Sequence, residues 1–267
     1  MRDLDDLFSR IDRPFAAFDP ACLGEDFAAQ LRVTSDLWFR CGYRPGIAAY
    51  LTFFLMRGLV ELHDERMPAR FGTQRAMAES FYRTDLFIRD VTDSGRLPTG
   101  GISSPRVRSL LAGIMARHRA VAIPEWAMTW FGWTLFENVE RQCAPLTSEQ
   151  QRLHLRYMAT TYRLMGVPFS TDRDLMTEFA RTAERTQAGI APQLEKHARA
   201  ILEIGEMIGV RASTVLPMLP EPARAAFAAS NERVQPGRLR RIWLRVLGRL
   251  VVPRAAGAPR IAQPFVA

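Results

Sequence analysis

An all-α fold is what this chain predicts, on three observations. Apolar residues recur at three- and four-residue spacing along most of its length, the signature of one helix face. No run alternates apolar and polar residues with the period of two that a half-buried strand shows, and no internal repeat divides the chain. At 267 residues and 48% hydrophobic, the chain is long enough to bury a core without disulfide or metal staples. The expected organisation is one multi-helix globular domain over 1–236, a basic amphipathic helix over 237–252, and a disordered tail over 253–267 that is rich in Ala, Pro and Gly.

Leu4, Leu7, Phe8 and Ile11 mark a first short helix that Pro14 ends, and Phe27, Leu31 and Leu37 mark a second between Asp26 and Phe39. After the Gly42 to Gly46 turn, GIAAYLTFFLMRGLVELH is apolar almost all round and is expected to be the central buried helix. It ends at His63-Asp64-Glu65, read as a solvated helix end rather than a metal site. From about Thr73 to Val91, the residues Met77, Phe81, Phe87, Ile88 and Val91 define an apolar face that also carries Thr84, with Arg83 at its flank. Thr84 either bonds back to the carbonyl one turn earlier or aims its hydroxyl into a cavity. Arg83 either snorkels to solvent or joins it there. The loop DSGRLPTGGISSP follows, as a lid or a connector.

Ser104 and Pro105 then read as the N-cap and first turn of a helix. Val107, Leu110, Leu111, Ile114 and Met115 form its apolar stripe, and the next position of that series is His118, between Arg117 and Arg119. A histidine there is either a core residue whose ring nitrogens find a carbonyl, or an axial ligand to a flat hydrophobic cofactor such as haem. The chain restarts at Ile123-Pro124 with Trp126, Trp130 and Trp133 on one helix face that runs to Glu137. Thr147 and Gln150 are spaced as a capping box ahead of Leu153, Tyr157, Thr161 and Leu164, and Gly166 ends that helix. Thr171 is expected to cap a helix bearing Leu175, Phe179 and Ala183, and Pro192 to open one through Leu194, Ile201 and Ile208. His154 and His197 fall off these stripes and are expected to face solvent.

At the C-terminus, GRLRRIWLRVLGRLVV sets Leu239, Ile242, Trp243, Val246, Leu247 and Leu250 against Arg238, Arg240, Arg241, Arg245 and Arg249. Two roles fit equally: an interfacial membrane anchor, or a terminal helix docked on the core.

Net charge is +8, carried almost wholly by arginine, since Lys196 is the sole lysine. No homeodomain, zinc-finger or RNP pattern accompanies it, so no specific nucleic-acid partner is expected. The three cysteines Cys22, Cys41 and Cys143 form no C-x-x-C pair, which argues for a reducing compartment and against a disulfide framework or a zinc site. MRDLDDLF is acidic where a signal peptide is basic, and the longest apolar run, Ile47 to Met56, falls short of the ~18 residues of a membrane span. A cytoplasmic protein without a transmembrane helix is the expectation. E-x-x-H, H-E-x-x-H, G-x-S-x-G, the P-loop and G-x-G-x-x-G are all missing, which sets aside carboxylate-bridged di-iron, zinc-peptidase, hydrolase, nucleotide and Rossmann chemistries. Oxidative chemistry here needs a cofactor.

In the order of its features, the chain from about Arg75 to Ala183 resembles the family that joins the MpaB-type oxygenases to the latex-clearing rubber oxygenases. Members carry an R-T-x-x-F helix, an Arg-rich helix with a histidine, a Trp- or Phe-rich helix ending in Glu, and a capped helix closing on G-x-P. The corresponding pieces are YRTDLF, RVRSLLAGIMARH, IPEWAMTWFGWTLFE and LTSEQQRLHLRYMATTYRLMGVPFS. The resemblance implies an all-α haem b oxygenase that acts with dioxygen on a hydrophobic, isoprenoid- or lipid-like small molecule. It implies His118 as proximal iron ligand, with Arg83 and Thr84 on the distal side as donors towards dioxygen. Leu111 stands where rubber oxygenases have their axial histidine, Arg83 replaces their distal lysine, and Ser80 replaces an arginine three residues earlier, so the MpaB branch is the nearer one. The other class of function expected of such a chain is non-catalytic: a helical protein that binds a hydrophobic ligand, or docks on a membrane surface through the Arg238 to Leu250 helix.

Overall fold

The computed structural model describes residues 2–42, 44–53, 105–120, 123–187, 194–207, 210–219, 224 and 237–251. Every regular element among them is helical, so the all-α expectation holds. In chain order these are α1 (Arg2–Arg10), a 3₁₀ turn (Pro20–Leu23), α2 (Phe27–Cys41), α3 (Arg44–Phe53), α4 (Pro105–Ala120) and α5 (Glu125–Cys143). Then come α6 (Ser148–Leu164), α7 (Arg173–Gln187), α8 (Leu194–Met207), the short α9 (Ala212–Val215) with a 3₁₀ turn (Leu216–Met218), and α10 (Arg238–Val251). No described helix is long and apolar enough to cross a membrane.

The tryptophan helix α5 is the hub, because it packs against α2, α3, α6 and α7 at once. Such a position needs apolar residues on several faces, and α5 supplies them: Trp130, Trp133, Leu135, Phe136 and Val139 are all buried. Trp126, at the start of the same stripe, is half-buried. Gly132 lets α6 come close, since a side chain there would run into the ring of Tyr162. Around this hub α2 packs on α6, α1 on α7, and α8 on both α3 and α10. Leu4, Leu7 and Ile11 turn inward as their spacing predicts, and Phe8 lies 5.9 Å from Phe179 of α7.

Local signals place the starts of α6 and α7. Thr147 Oγ1 accepts from the Gln150 amide at 3.1 Å and Gln150 Oε1 from the Thr147 amide at 3.0 Å, the reciprocal pair that the spacing predicts. At α7 the cap is Asp172 rather than Thr171: Asp172 Oδ1 accepts from the amides of Asp174 and Leu175 at 3.1 and 3.0 Å. An ionised carboxylate is the stronger acceptor at a helix N-terminus, which is why it takes the place of the hydroxyl. Of the expected central helix, Arg44–Phe53 is described, with Ile47, Ala48, Ala49, Leu51 and Phe53 buried. Its continuation to His63 lies outside the described residues, as do the expected helix over 73–91, the Pro192 start of α8, and the tail.

A further expectation is corrected. His154 does not face solvent: it is fully buried. Helix α6 is covered by α2 and α5 together, so lying off one apolar stripe does not put a side chain outside. The C-terminal helix α10 packs on α8, and among its described residues it does so through Leu244 and two arginines rather than through Leu239, Ile242, Trp243 and Val246. Leu244 is buried, Arg240 pairs with buried Glu203, and Arg245 pairs with buried Glu206 at 2.7 Å, all on the side facing α8. Leu239, Ile242, Trp243 and Val246 consequently point away and are exposed.

Candidate functional site

Helix α4 carries the predicted ligand position. Its exposed residues Ser109, Ala112, Ala116 and Arg119 repeat at three- and four-residue spacing, while Met115 is buried. At 100° per residue, position 118 falls about 60° from Met115 and about 160° from Ala116. On the α4 backbone, position 118 thus lies on the half that holds Met115, away from the exposed row. The His118 side chain itself lies outside the described residues, as do Arg83, Thr84 and His63, so the three expected site residues are not brought together in the described part. Arg108 of the same helix lies over the Phe18 ring, 4.1 Å from its centroid.

Inside the layer formed by α5, α6 and α7 is a polar cluster of Glu140, His154 and Arg173. Arg173 holds Glu140 through Nη2, 2.9 and 2.7 Å from the two carboxylate oxygens, and its guanidinium lies 5.2 Å from the Phe136 centroid. The His154 ring packs on the same Phe136 at 4.7 Å, with Nδ1 3.8 Å from Glu140 Oε1. That separation is too long for a hydrogen bond, yet short enough for the carboxylate to favour the protonated ring. Burial outweighs it and pulls the His154 pKa below its ordinary value, so the ring is neutral near pH 7.

A second perturbed group stands further along the same contact between α5 and α7. Trp130 Nε1 donates to Glu184 Oε1 at 3.4 Å, and burial pushes the Glu184 carboxyl up to about 7. The hydrogen bond opposes that rise, and the charge of Glu137, whose own pKa burial also raises, adds to it. Glu184 can therefore hold or release a proton near neutral pH, which is the property a general acid or base needs. A signal for Glu137 and Glu140 is present in the sequence: both continue the 126, 130, 133 stripe of α5 at the same spacing.

The interior between α2, α5 and α6 also holds buried polar atoms with no hydrogen-bond partner among the described residues. They are Thr34 Oγ1 and Trp38 Nε1 on α2, Trp133 Nε1 and Asn138 Nδ2 on α5, and Thr161 Oγ1 on α6, besides both His154 nitrogens. Buried polar groups are normally partnered by protein or water, so this interior suits ordered water. No three His, Cys, Asp or Glu side chains converge as a metal site among the described residues.

Comparison with known protein families, with curated proteins and with solved structures finds no match to this chain.

Proposed function

We propose that this protein is a haem b-dependent oxygenase acting on an apolar, isoprenoid- or lipid-like substrate, with His118 as the proximal ligand. The observation that supports the reading is the register of α4. Position 118 shares the half of the helix that holds buried Met115, the half from which an axial ligand would have to project. Bound haem would supply the dioxygen chemistry that no side chain performs. The tasks left to the chain are to shed water and to orient substrate. On the resemblance to the MpaB branch, Arg83 and Thr84 supply donors opposite His118.

The test is oxygen uptake by the haem-loaded full chain on addition of unsaturated isoprenoids and lipids, with carbonyl products followed by mass spectrometry. Arg83→Ala and Thr84→Val, made separately, are expected to cut turnover by about 10- to 100-fold at unchanged haem content. No uptake with any unsaturated lipid, or full turnover in both variants, would count against the assignment.

A second reading, peripheral docking on an anionic membrane, is favoured by one specific observation. The outward row of α10 is apolar, with Leu239 83% and Trp243 57% exposed, and exposed Arg238 stands at its edge. A second copy of the chain would set arginine against arginine there, whereas an anionic lipid surface complements both the apolar row and the net charge of +8. Each apolar side chain that inserts contributes up to ~1.5–3 kcal/mol and each nearby arginine ~1 kcal/mol. Co-sedimentation with anionic vesicles is expected to fall at least tenfold in Trp243→Glu and to weaken with salt. Equal sedimentation of Trp243→Glu and the native chain would rule the docking out.

A further inference from the structure

At the C-terminal ends of α2 and α5, the Sγ atoms of Cys41 and Cys143 lie 3.0 Å apart, although the residues are 102 positions apart in the chain. Both thiols are free, with Cys41 fully buried and Cys143 8% exposed. The separation is shorter than an ordinary sulfur contact and longer than the ~2.05 Å of a disulfide bond. Neighbouring groups hold the pair in place: Cys143 Sγ lies 3.4 Å from the Leu37 carbonyl oxygen and Cys41 Sγ lies 3.6 Å from that of Val139. Nothing in the haem reading uses these residues.

We infer that Cys41 and Cys143 form a modification site, a thiol pair that hydrogen peroxide converts to a reversible disulfide clamping α2 to α5. The two thiols are not equivalent. The contact with Cys41 holds the Cys143 pKa below its ordinary value, an effect that Arg40 and Arg44 reinforce, while the same contact and burial push the Cys41 pKa up. Cys143 is therefore the readier of the two to ionise and stands nearer solvent, at the edge of the exposed Ala144-Pro145 turn. Its sulfur attacks one peroxide oxygen, the O–O bond breaks, and the leaving hydroxide takes up a proton to become water. Cys143 is then a sulfenic acid. Cys41 gives up its proton and attacks the Cys143 sulfur, the S–OH bond breaks, and a second water leaves with that proton. In sum, two thiols and one peroxide yield one disulfide and two waters. A small oxidant is required, because a bulky disulfide reagent would have to enter between the ends of two packed helices.

The consequence is mechanical. A crosslink closing a loop of 102 residues removes much conformational freedom from the unfolded chain, so oxidation raises the melting temperature, by on the order of 5–10 °C. The test treats the full chain with excess peroxide, then titrates thiols after denaturation and maps linked peptides. Free thiols are expected to fall from three per chain to the one of Cys22. The map should show a single Cys41 to Cys143 link, and the rise in melting temperature should reverse with a phosphine reductant. Cys22→Ser should behave alike with no thiol left, and Cys143→Ser should show no link and no shift. Three thiols surviving peroxide, a link through Cys22, or sulfinic acid at Cys143 without a link would each overturn the inference, and all three are read on the native chain without any variant.

Discussion

Replacing Gly132 with alanine tests the central packing of the fold. A Cβ at this position would overlap Cε1 and Cζ of Tyr162 and stand 2.9 Å from its Oη. Carbon atoms in contact sit ~3.5–4.0 Å apart, so the ring must retreat by about 1 Å. It has little room to do so: Tyr162 is buried, its ring lies 5.0 Å from that of Phe169, and Phe169 in turn lies 6.3 Å from Trp133. Overpacking a filled core costs ~1–3 kcal/mol, and an overlap of this size against a ring belongs at the upper end. The alanine returns about 1 kcal/mol through better helix propensity, leaving a net loss of about 2 kcal/mol. Urea unfolding of the native chain and Gly132→Ala measures it directly. The diagnostic arm repeats the substitution in a Tyr162→Ala background, where the obstacle is gone and only the propensity gain remains. There Gly132→Ala should be neutral or stabilising by up to ~1 kcal/mol. Destabilisation of equal size in both backgrounds would show that the α5 to α6 approach is not what glycine serves at 132.

Two predictions follow from perturbed protons. Burial lowers the folded-state pKa of His154 below its unfolded value, so the unfolded chain binds the proton first and stability falls as pH drops below about 6.5. Thermal melts between pH 7.5 and 5 should show His154→Gln losing less stability on acidification than the native chain, and parallel curves would mean the ring is not held neutral. Glu184 works in the opposite sense. Its folded pKa of about 7 lies above the unfolded value, so the stability it adds is present at low pH and disappears as pH rises through about 7. Glu184→Gln should therefore gain on the native chain from pH 5 to 7 and hold a constant lead above that; a difference independent of pH would contradict the raised pKa.

Periodicity and capping chemistry carry far in this chain. The inward faces of α1 and α2, the buried Trp130 and Trp133, and the Thr147 and Gln150 capping box all follow from residue spacing. Where a single stripe is the wrong description, the same reasoning fails. Helix α6 is enclosed from two sides by α2 and α5, so His154 is interior although it sits off the stripe. The arginines of α10 look like a solvent face until Glu203 and Glu206 are seen buried opposite them, and nothing local to either segment announces that pairing. The Cys41 and Cys143 contact is equally silent in the sequence, because a pairing across 102 residues depends on how the ends of α2 and α5 meet. Of the candidate site, the helix that carries position 118 was legible, because Pro105 opens it and the apolar spacing continues through it. Arg83 and Thr84 lie outside the described residues.

Haem binding by the intact chain tests the functional account most directly. Titration of haem-free protein with haem, followed by absorbance, is predicted to give a Soret band that saturates at one equivalent and disappears in His118→Ala, while His63→Ala and His154→Gln retain it. Helical content by circular dichroism should be the same in all four proteins. Protein that stays colourless and takes up no added haem, or a His118→Ala variant that binds it as tightly as the native chain, would contradict the assignment of His118 as the axial ligand.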